Sequence, residues 1–299
     1  MNKKVKSILL ALVVMALWGS LFPCVKLGYR FAGISSGSVA DILMFAAIRF
    51  ALCGGLVSLF CVSRRKAIGT PSLKSVGTIL LIGLFAIVLH YACSYIGLST
   101  TDSSKTAILK QSAALFYVCF SFLFFKDERF SIYKIIGAIV GFGGIVATSF
   151  SKSAFSFSLG DLLILGASIC TVVSNIISRR SSQNCSALWI TGISQFFGGL
   201  VLLIVALALG GTIPQINGKL IAVFAYICVS SIISYTLWYY ILRTSELSKL
   251  FIIKFTEPLF ACIFGAFIMG EDILKWQYLV AFVLISAGIV IGHYKENAK

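Results

Sequence analysis

Apolar stretches of about eighteen residues or more follow one another from Ile8 to Tyr294, and each is long enough to cross a bilayer as a helix. The polar pieces between them are short loops, and none approaches the roughly 50 residues that a soluble catalytic domain needs. In lipid every backbone N–H and C=O must be satisfied within the segment, so runs of this kind are restricted to helices. Charged residues make up 12% of the chain, against about 25% in soluble domains, and they gather at the ends of the apolar runs.

Ten spans are predicted, at 8–28, 39–62, 76–97, 106–125, 132–150, 159–178, 188–209, 220–242, 250–269 and 274–294. The opening Lys3, Lys4 and Lys6 followed by Ile8 to Leu17 imitates a secretory signal, but the apolar run continues to Val25, which predicts an uncleaved first span. Ten spans put both termini on one side. That side holds the basic residues at Lys3, Lys4, Lys6, Arg64 to Lys66, Lys74, Lys126, Arg129, Lys134, Arg179, Arg180, Arg243, Lys249, Lys295 and Lys299, sixteen in all. The other side holds five: Arg30, Lys105, Lys152, Lys219 and Lys275. The asymmetry predicts cytoplasmic termini and accounts for the net charge of +15 without a nucleic acid partner. The nine cysteines are scattered singly, with no Cys-x-x-Cys, and read as small apolar packing residues; with only two histidines, a metal site is not expected.

The chain repeats itself weakly. Cys119 matches Cys262, Phe124 matches Phe267, Glu128 matches Glu271 and Ala138 matches Ala281, all about 143 residues apart, while Gly144-Ile-Val matches Gly288-Ile-Val after a one-residue slip. Two halves, 1–151 and 152–299, with five spans each must insert with opposite orientation. The fold expected is therefore an all-α membrane protein of ten transmembrane helices arranged as two inverted five-helix repeats, with a site near the midplane.

Leu17-Trp18-Gly19-Ser20 in span 1, Arg49-Phe50 in span 2, Gly160-Asp161 opening the second half, and Glu257-Pro258 thirteen residues before Glu271 carry a resemblance to the drug/metabolite transporter superfamily, with two tandem EamA-type domains covering nearly the whole chain. One departure is Lys110-Gln-Ser-Ala-Ala in span 4, which lacks the proline of span 9. The resemblance implies a carrier or exporter of small metabolites working by alternating access without covalent chemistry. It does not name the substrate, because the superfamily moves amino acids, aromatic drugs, nucleotide sugars and phosphorylated sugars.

Four cations, Lys26, Arg49, Lys110 and Lys254, fall inside spans. A Lys or Arg at the centre of a span costs ~2.5 to 3.5 kcal/mol on insertion scales, so it needs a partner or a wet cavity. Lys110 and Lys254 correspond in the repeat; either they snorkel to the nearer interface or they bind a substrate anion, as lysines do in distantly similar carriers of phosphorylated sugars. Glu257, three residues after Lys254, is positioned for a local salt bridge or for proton coupling. Arg49 is read either as structural, tying span 2 to a carboxylate or to carbonyls, or as functional, and Pro258 as a kink that frees a backbone carbonyl.

Trp18, His90, Tyr91, Tyr95, Gln111, Asn175, Gln195 and Trp238 add polar or aromatic edges from further spans and complete the candidate substrate site. Each is either a helix-to-helix contact or part of a pathway. Gly137-x-x-x-Gly141 and Gly288-x-x-x-Gly292 permit close helix packing, either inside a half or on a dimer face. Glu128 and Glu271 are expected to favour the positive end of the helix that follows each.

Enzyme readings fail on context. Gly33-Ile-Ser-Ser-Gly37 has the spacing of a nucleophile elbow but sits between two spans rather than between a strand and a helix. Asp41, Asp102, Asp127, Asp161 and Asp272 lie at span edges or in loops, which excludes a paired intramembrane aspartyl site, and no phosphate-binding Gly-rich loop is present. The expectation is a non-enzymatic exporter of small anionic or zwitterionic metabolites such as amino acids, in a bacterial cytoplasmic membrane, monomeric or weakly dimeric and coupled to protons or a counter-substrate. Efflux of aromatic or cationic drugs, and a channel or scaffold, are the alternatives.

Overall fold

The computed structural model describes residues 3–35, 37–98, 103–126, 128–149, 158–243, 245–270 and 276–294. Among them every regular element is helical. In chain order the helices are α1 (Lys3–Ala32), α2 (Val39–Ser63), the short α3 (Arg65–Ile68), α4 (Leu73–Gly83), α5 (His90–Leu98), α6 (Ser103–Phe124), α7 (Ile132–Ser149), α8 (Leu159–Ser181), α9 (Ala187–Ala208), α10 (Gly218–Leu242), α11 (Leu247–Ile253), α12 (Glu257–Met269) and α13 (Trp276–His293). A π-helical stretch, Leu84–Leu89, joins α4 to α5, and a 3₁₀ turn, Lys254–Thr256, joins α11 to α12. Seven of the resulting helical runs are long and apolar enough to span a membrane, and shorter apolar helices lie at Leu109–Phe124, Ile132–Val146 and Leu279–His293. Glu271, Asp272, Lys275, Asp102, Asp127, Lys152, Lys295 and Lys299 lie outside the described residues.

Helix starts follow from side chains that bind the unpaired first N–H groups. Ser158 and Asp161 form a reciprocal capping box at α8, Ser38 caps α2, Ser72 caps α4 and Asn217 caps α10. The Gly160-Asp161 pair singled out in the sequence is thus a helix-start device. Outward faces are apolar: Leu59 is 68% exposed, Ile204 67% and Phe267 83%. A water-soluble surface rarely carries so much exposed hydrocarbon, so this is the lipid-facing skin of a multi-pass membrane protein.

Without a hydrophobic drive between helices in lipid, close backbone approach through small residues holds such a bundle together. A Cβ added to Gly137 would stand 2.5 Å from the Gly288 carbonyl oxygen, and one added to Gly288 would stand 2.5 Å from that of Gly137. The two Gly-x-x-x-Gly stretches therefore pack on each other, α7 against α13. This corrects both readings from sequence, since the contact neither stays inside one half nor faces outward. Likewise α2 crosses α9 with Gly54 against the backbone of Phe196 and Gly199 against that of Ala51. Around these crossings α1 packs on α10 and α12, and α8 packs on α4, α5 and α6. The innermost layer is aromatic: Tyr117 stacks on Phe251 at 4.6 Å, with Trp238 and Phe255 buried beside them.

Candidate functional site

The break between α11 and α12 builds the centre of the site. Pro258 has no N–H to give the carbonyl four residues back, which is that of Lys254. Glu257 instead donates its N–H to the Lys254 carbonyl, closing a tighter 3₁₀ turn. Gly19 then allows α1 to lie directly on this turn, because a Cβ there would meet Phe260 Cβ at 2.6 Å and the Glu257 carbonyl at 3.0 Å. The glycine of the Leu17-Trp18-Gly19-Ser20 motif thereby brings Trp18 over Lys254.

The Lys254 ammonium is surrounded by rings, 5.2 Å from the Trp18 centroid, 5.4 Å from Phe251 and 5.7 Å from Trp238. Cation–π attraction of ~0.5 to 2 kcal/mol per ring favours the charge there. Among the described residues no ion pair joins Lys254 to Glu257, although the Glu257 charge acts on it attractively and that of Lys110 repulsively. Helical side chains lean toward the N-terminus, which carries the lysine arm back over Phe251, one turn earlier, and away from Glu257. Both Lys254 and Glu257 keep some accessible surface deep in the bundle.

Several predicted residues converge here. Trp18 packs on Trp238 at 5.3 Å and on Tyr235 at 5.6 Å. Trp238 donates its indole N–H to Asn175 Oδ1 at 2.6 Å, and Asn175 in turn donates to the Thr171 carbonyl at 2.7 Å. Asn175 therefore orients the box wall. His90 Nδ1 lies 3.1 Å from the Ala167 carbonyl and 3.0 Å from the Thr171 hydroxyl, which ties α5 to α8, and the charges of Lys110 and Lys254 both reach it. Lys110 approaches the Phe22 ring at 5.9 Å.

Arg49, Tyr91 and Tyr95 form a neighbouring group. Tyr91 lies edge-on to Phe50 at 4.9 Å and 5.6 Å from Tyr95, and Phe50 lies 6.3 Å from Tyr235. The Arg49 guanidinium sits 4.3 Å above the Phe50 ring and donates through Nη2 to the Tyr91 hydroxyl at 3.3 Å. The carboxylate or carbonyl partner expected from sequence is replaced, among the described residues, by aromatic faces and one hydroxyl. Two candidates stay apart. Gln195 is fully buried where α9 crosses α2, with no hydrogen-bond partner on either amide atom among the described residues. Gln111 neighbours Lys110 in sequence, yet no described hydrogen bond connects its side chain to the cluster.

Sequence reasoning missed Tyr235, Phe251 and Thr171. Tyr235 and Phe251 each precede a named residue, Trp238 and Lys254, by three positions, and helical spacing alone places them on the same face. Thr171 stands four residues before Asn175 by the same rule.

A second charged cluster closes one end of the bundle. The Glu128 side chain is fully buried, accepts from Arg179 Nη1 at 2.8 Å and from Ser248 through both its hydroxyl and its N–H, and lies 3.5 Å from Lys134. Lys134 also pairs with Glu246 at 2.6 Å, and Glu246 with Lys249 at 3.4 Å. Burial alone would raise the Glu128 carboxyl, but the Ser248 hydrogen bond and the charges of Lys134 and Arg179 outweigh it and hold the carboxyl below its ordinary value. The helix-end role expected for Glu128 is thus replaced by a junction between the α6–α7 turn, the end of α8 and the start of α11. A surface depression of about 360 Å³ opens beside it, lined by Phe125, Arg179, Arg180, Gln183, Arg243, Ser245 and Glu246, and none of the rings around Lys254 lines it.

Residues 5–150 and 158–292 each match the EamA-like transporter family. The uncharacterized transporter YvbV of Bacillus subtilis (strain 168) is 24% identical over 99% of this chain and 94% of its own. An uncharacterized transporter of Archaeoglobus fulgidus is 23% identical over 98% and 99%, and the uncharacterized inner membrane transporter YedA of Escherichia coli (strain K12) is 24% identical over 95% and 90%. A solved crystal structure superposes with a TM-score of 0.79 at 17% identity, covering 96% of this chain and 98% of that one, and so shares the fold. With the same family matched twice along its length and transporters aligned with it end to end, this chain belongs to the EamA-like transporter family of the drug/metabolite transporter superfamily.

Proposed function

We propose that this transporter crosses a bacterial cytoplasmic membrane ten times, with residues 1–151 and 152–299 as inverted halves, and exports a small anionic or zwitterionic metabolite such as an amino acid by alternating access. The observation that carries the substrate class is the Lys254 ammonium, held in an aromatic box near Lys110 with Glu257 the one carboxylate among the described residues whose charge acts on it. Two cations against one carboxylate leave an attraction for a ligand anion, and the rings supply an apolar surface for its body.

The packing supports the inverted halves. Exchanging α1 with α8, α2 with α9, α4–α5 with α10, α6 with α11–α12 and α7 with α13 maps every major helix contact onto another one: α1 on α10 becomes α8 on α4–α5, α1 on α12 becomes α8 on α6, and the α2–α9 and α7–α13 contacts map onto themselves. The sixteen-to-five basic asymmetry supports cytoplasmic termini, which puts the Glu128 cluster on the cytoplasmic side as the closed end of the pathway. Coupling to protons or a counter-substrate, in a monomer or a weak homodimer, completes the proposal.

The rival reading, efflux of aromatic or cationic drugs, draws on the same rings. The test is a thermal-shift screen of the purified protein with amino acids, organic acids, sugar phosphates and cationic dyes, since a ligand of the folded state raises apparent stability. Stabilisation by an anionic or zwitterionic compound that disappears in Lys254→Gln, together with loss of its uptake in proteoliposomes, supports the proposal. Stabilisation by apolar cations alone overturns it.

A further inference from the structure

Arg49 is 4% exposed, and its Nε, also buried, has no acceptor among the described residues. Among the described residues no ion pair joins Arg49 to a carboxylate. One hydrogen bond, from Nη2 to the Tyr91 hydroxyl, and the face of Phe50 hold the guanidinium in place. A guanidinium recruited only to fasten α2 would be expected to spend its N–H groups on backbone carbonyls or a carboxylate, because an unmade bond to a buried charge is expensive. Here the helix is already fastened by the Gly54 and Gly199 crossing with α9. The side chain is preorganised by two aromatic residues and keeps donor capacity in reserve.

That reserve lies on the same wall as Lys254. Ring centroids step from Tyr91 to Phe50 at 4.9 Å, from Phe50 to Tyr235 at 6.3 Å and from Tyr235 to Trp18 at 5.6 Å, and Trp18 roofs the lysine. Resting on the transport reading above, we propose that Arg49 is a substrate-binding residue rather than a structural one, taking a planar oxyanion of the ligand, a carboxylate, on the edge formed by its Nε and a terminal nitrogen. Arginine presents these donors as a rigid fork that matches a carboxylate or phosphate, whereas lysine offers a point charge. Lys254 and Arg49 then grip one small ligand from two ends of an aromatic wall.

The experiment titrates the purified full-length protein with glutamate, benzoate or inorganic phosphate at constant ionic strength and follows the melting temperature, in wild type, Arg49→Lys, Arg49→Met and Lys254→Gln. The expected result is saturable stabilisation of the wild type by a carboxylate, with a midpoint raised about tenfold or more in Arg49→Lys. Arg49→Met, which removes the buried donors, should melt no lower than wild type without ligand and fail to respond to it. Stabilisation by phosphate and not by carboxylates would overturn the carboxylate assignment. A wild-type midpoint in Arg49→Lys would overturn the inference while leaving the Lys254 reading intact if Lys254→Gln still loses binding. Should no anion stabilise even the wild type, both fall together. If Arg49→Met does not fold, the residue is structural and the inference fails; Arg49→Lys then shows whether the loss came from charge or shape.

Discussion

Replacing Glu128 by Gln keeps the side-chain shape and removes one negative charge from a cluster holding Arg179 at 2.8 Å and Lys134 at 3.5 Å. Lys134 retains Glu246 at 2.6 Å, so the main loss falls on Arg179 and on the charge-assisted bonds from Ser248. Removing one partner of a buried pair costs about 3 to 5 kcal/mol, which for a domain-sized unit is a melting shift on the order of 10 °C. The pH dependence has a definite sign. The folded carboxyl is held below its ordinary value, so its contribution is complete above the unfolded pKa of about 4.3 and fades as pH falls through the lower folded value. Wild type should therefore melt higher than Glu128→Gln at pH 7, and the gap should narrow in acid. Melts followed by intrinsic fluorescence in detergent from pH 7.5 to 3.5 would measure this. Equal stability at pH 7, or a gap independent of pH, would refute the reasoning. If the cluster also closes the cytoplasmic end, the variant should label faster at the half-buried Cys185 thiol, read by mass spectrometry.

Glu257→Gln should flatten the pH dependence of proteoliposome uptake, because no ion pair with Lys254 occupies that carboxylate among the described residues; an unchanged profile would leave it a purely electrostatic neighbour of the lysine. Gly288→Val places a methyl-bearing carbon 2.5 Å from the Gly137 carbonyl, where only backbone can move, so the variant should lose at least ~1 to 3 kcal/mol of stability and show a lower melt. A change of oligomeric state with an unchanged melt would restore the dimer-face reading. Lys254→Gln should remain folded and monodisperse while losing uptake; full uptake would show that the lysine only fills the box.

Much of the site was legible because lipid makes a few residue types conspicuous. A Lys or Arg inside an apolar run stands out, which makes Lys254 and Lys110 site candidates and marks Arg49 as needing a partner. What each one touches was not legible. The expected Lys254–Glu257 bridge rested on their three-residue separation, but the arm turns back to rings contributed by α1 and α10, more than 200 and about 16 positions away in sequence. Gln195 reads by its polarity as either a helix-to-helix contact or a pathway residue, and its place in the α2–α9 crossing depends on which helices meet.

By itself, then, the sequence determined that the chain is helical, membrane-embedded and related half to half, since hydropathy and backbone satisfaction in lipid are local properties summed along the chain. Tertiary structure decided the partners: Gly137 against Gly288, Glu128 with Arg179 and Ser248, Trp18 over Lys254. Those pairings bring together residues from distant helices, and the packing of one helix on another is set by the shapes of both surfaces at once, which no single stretch of sequence contains.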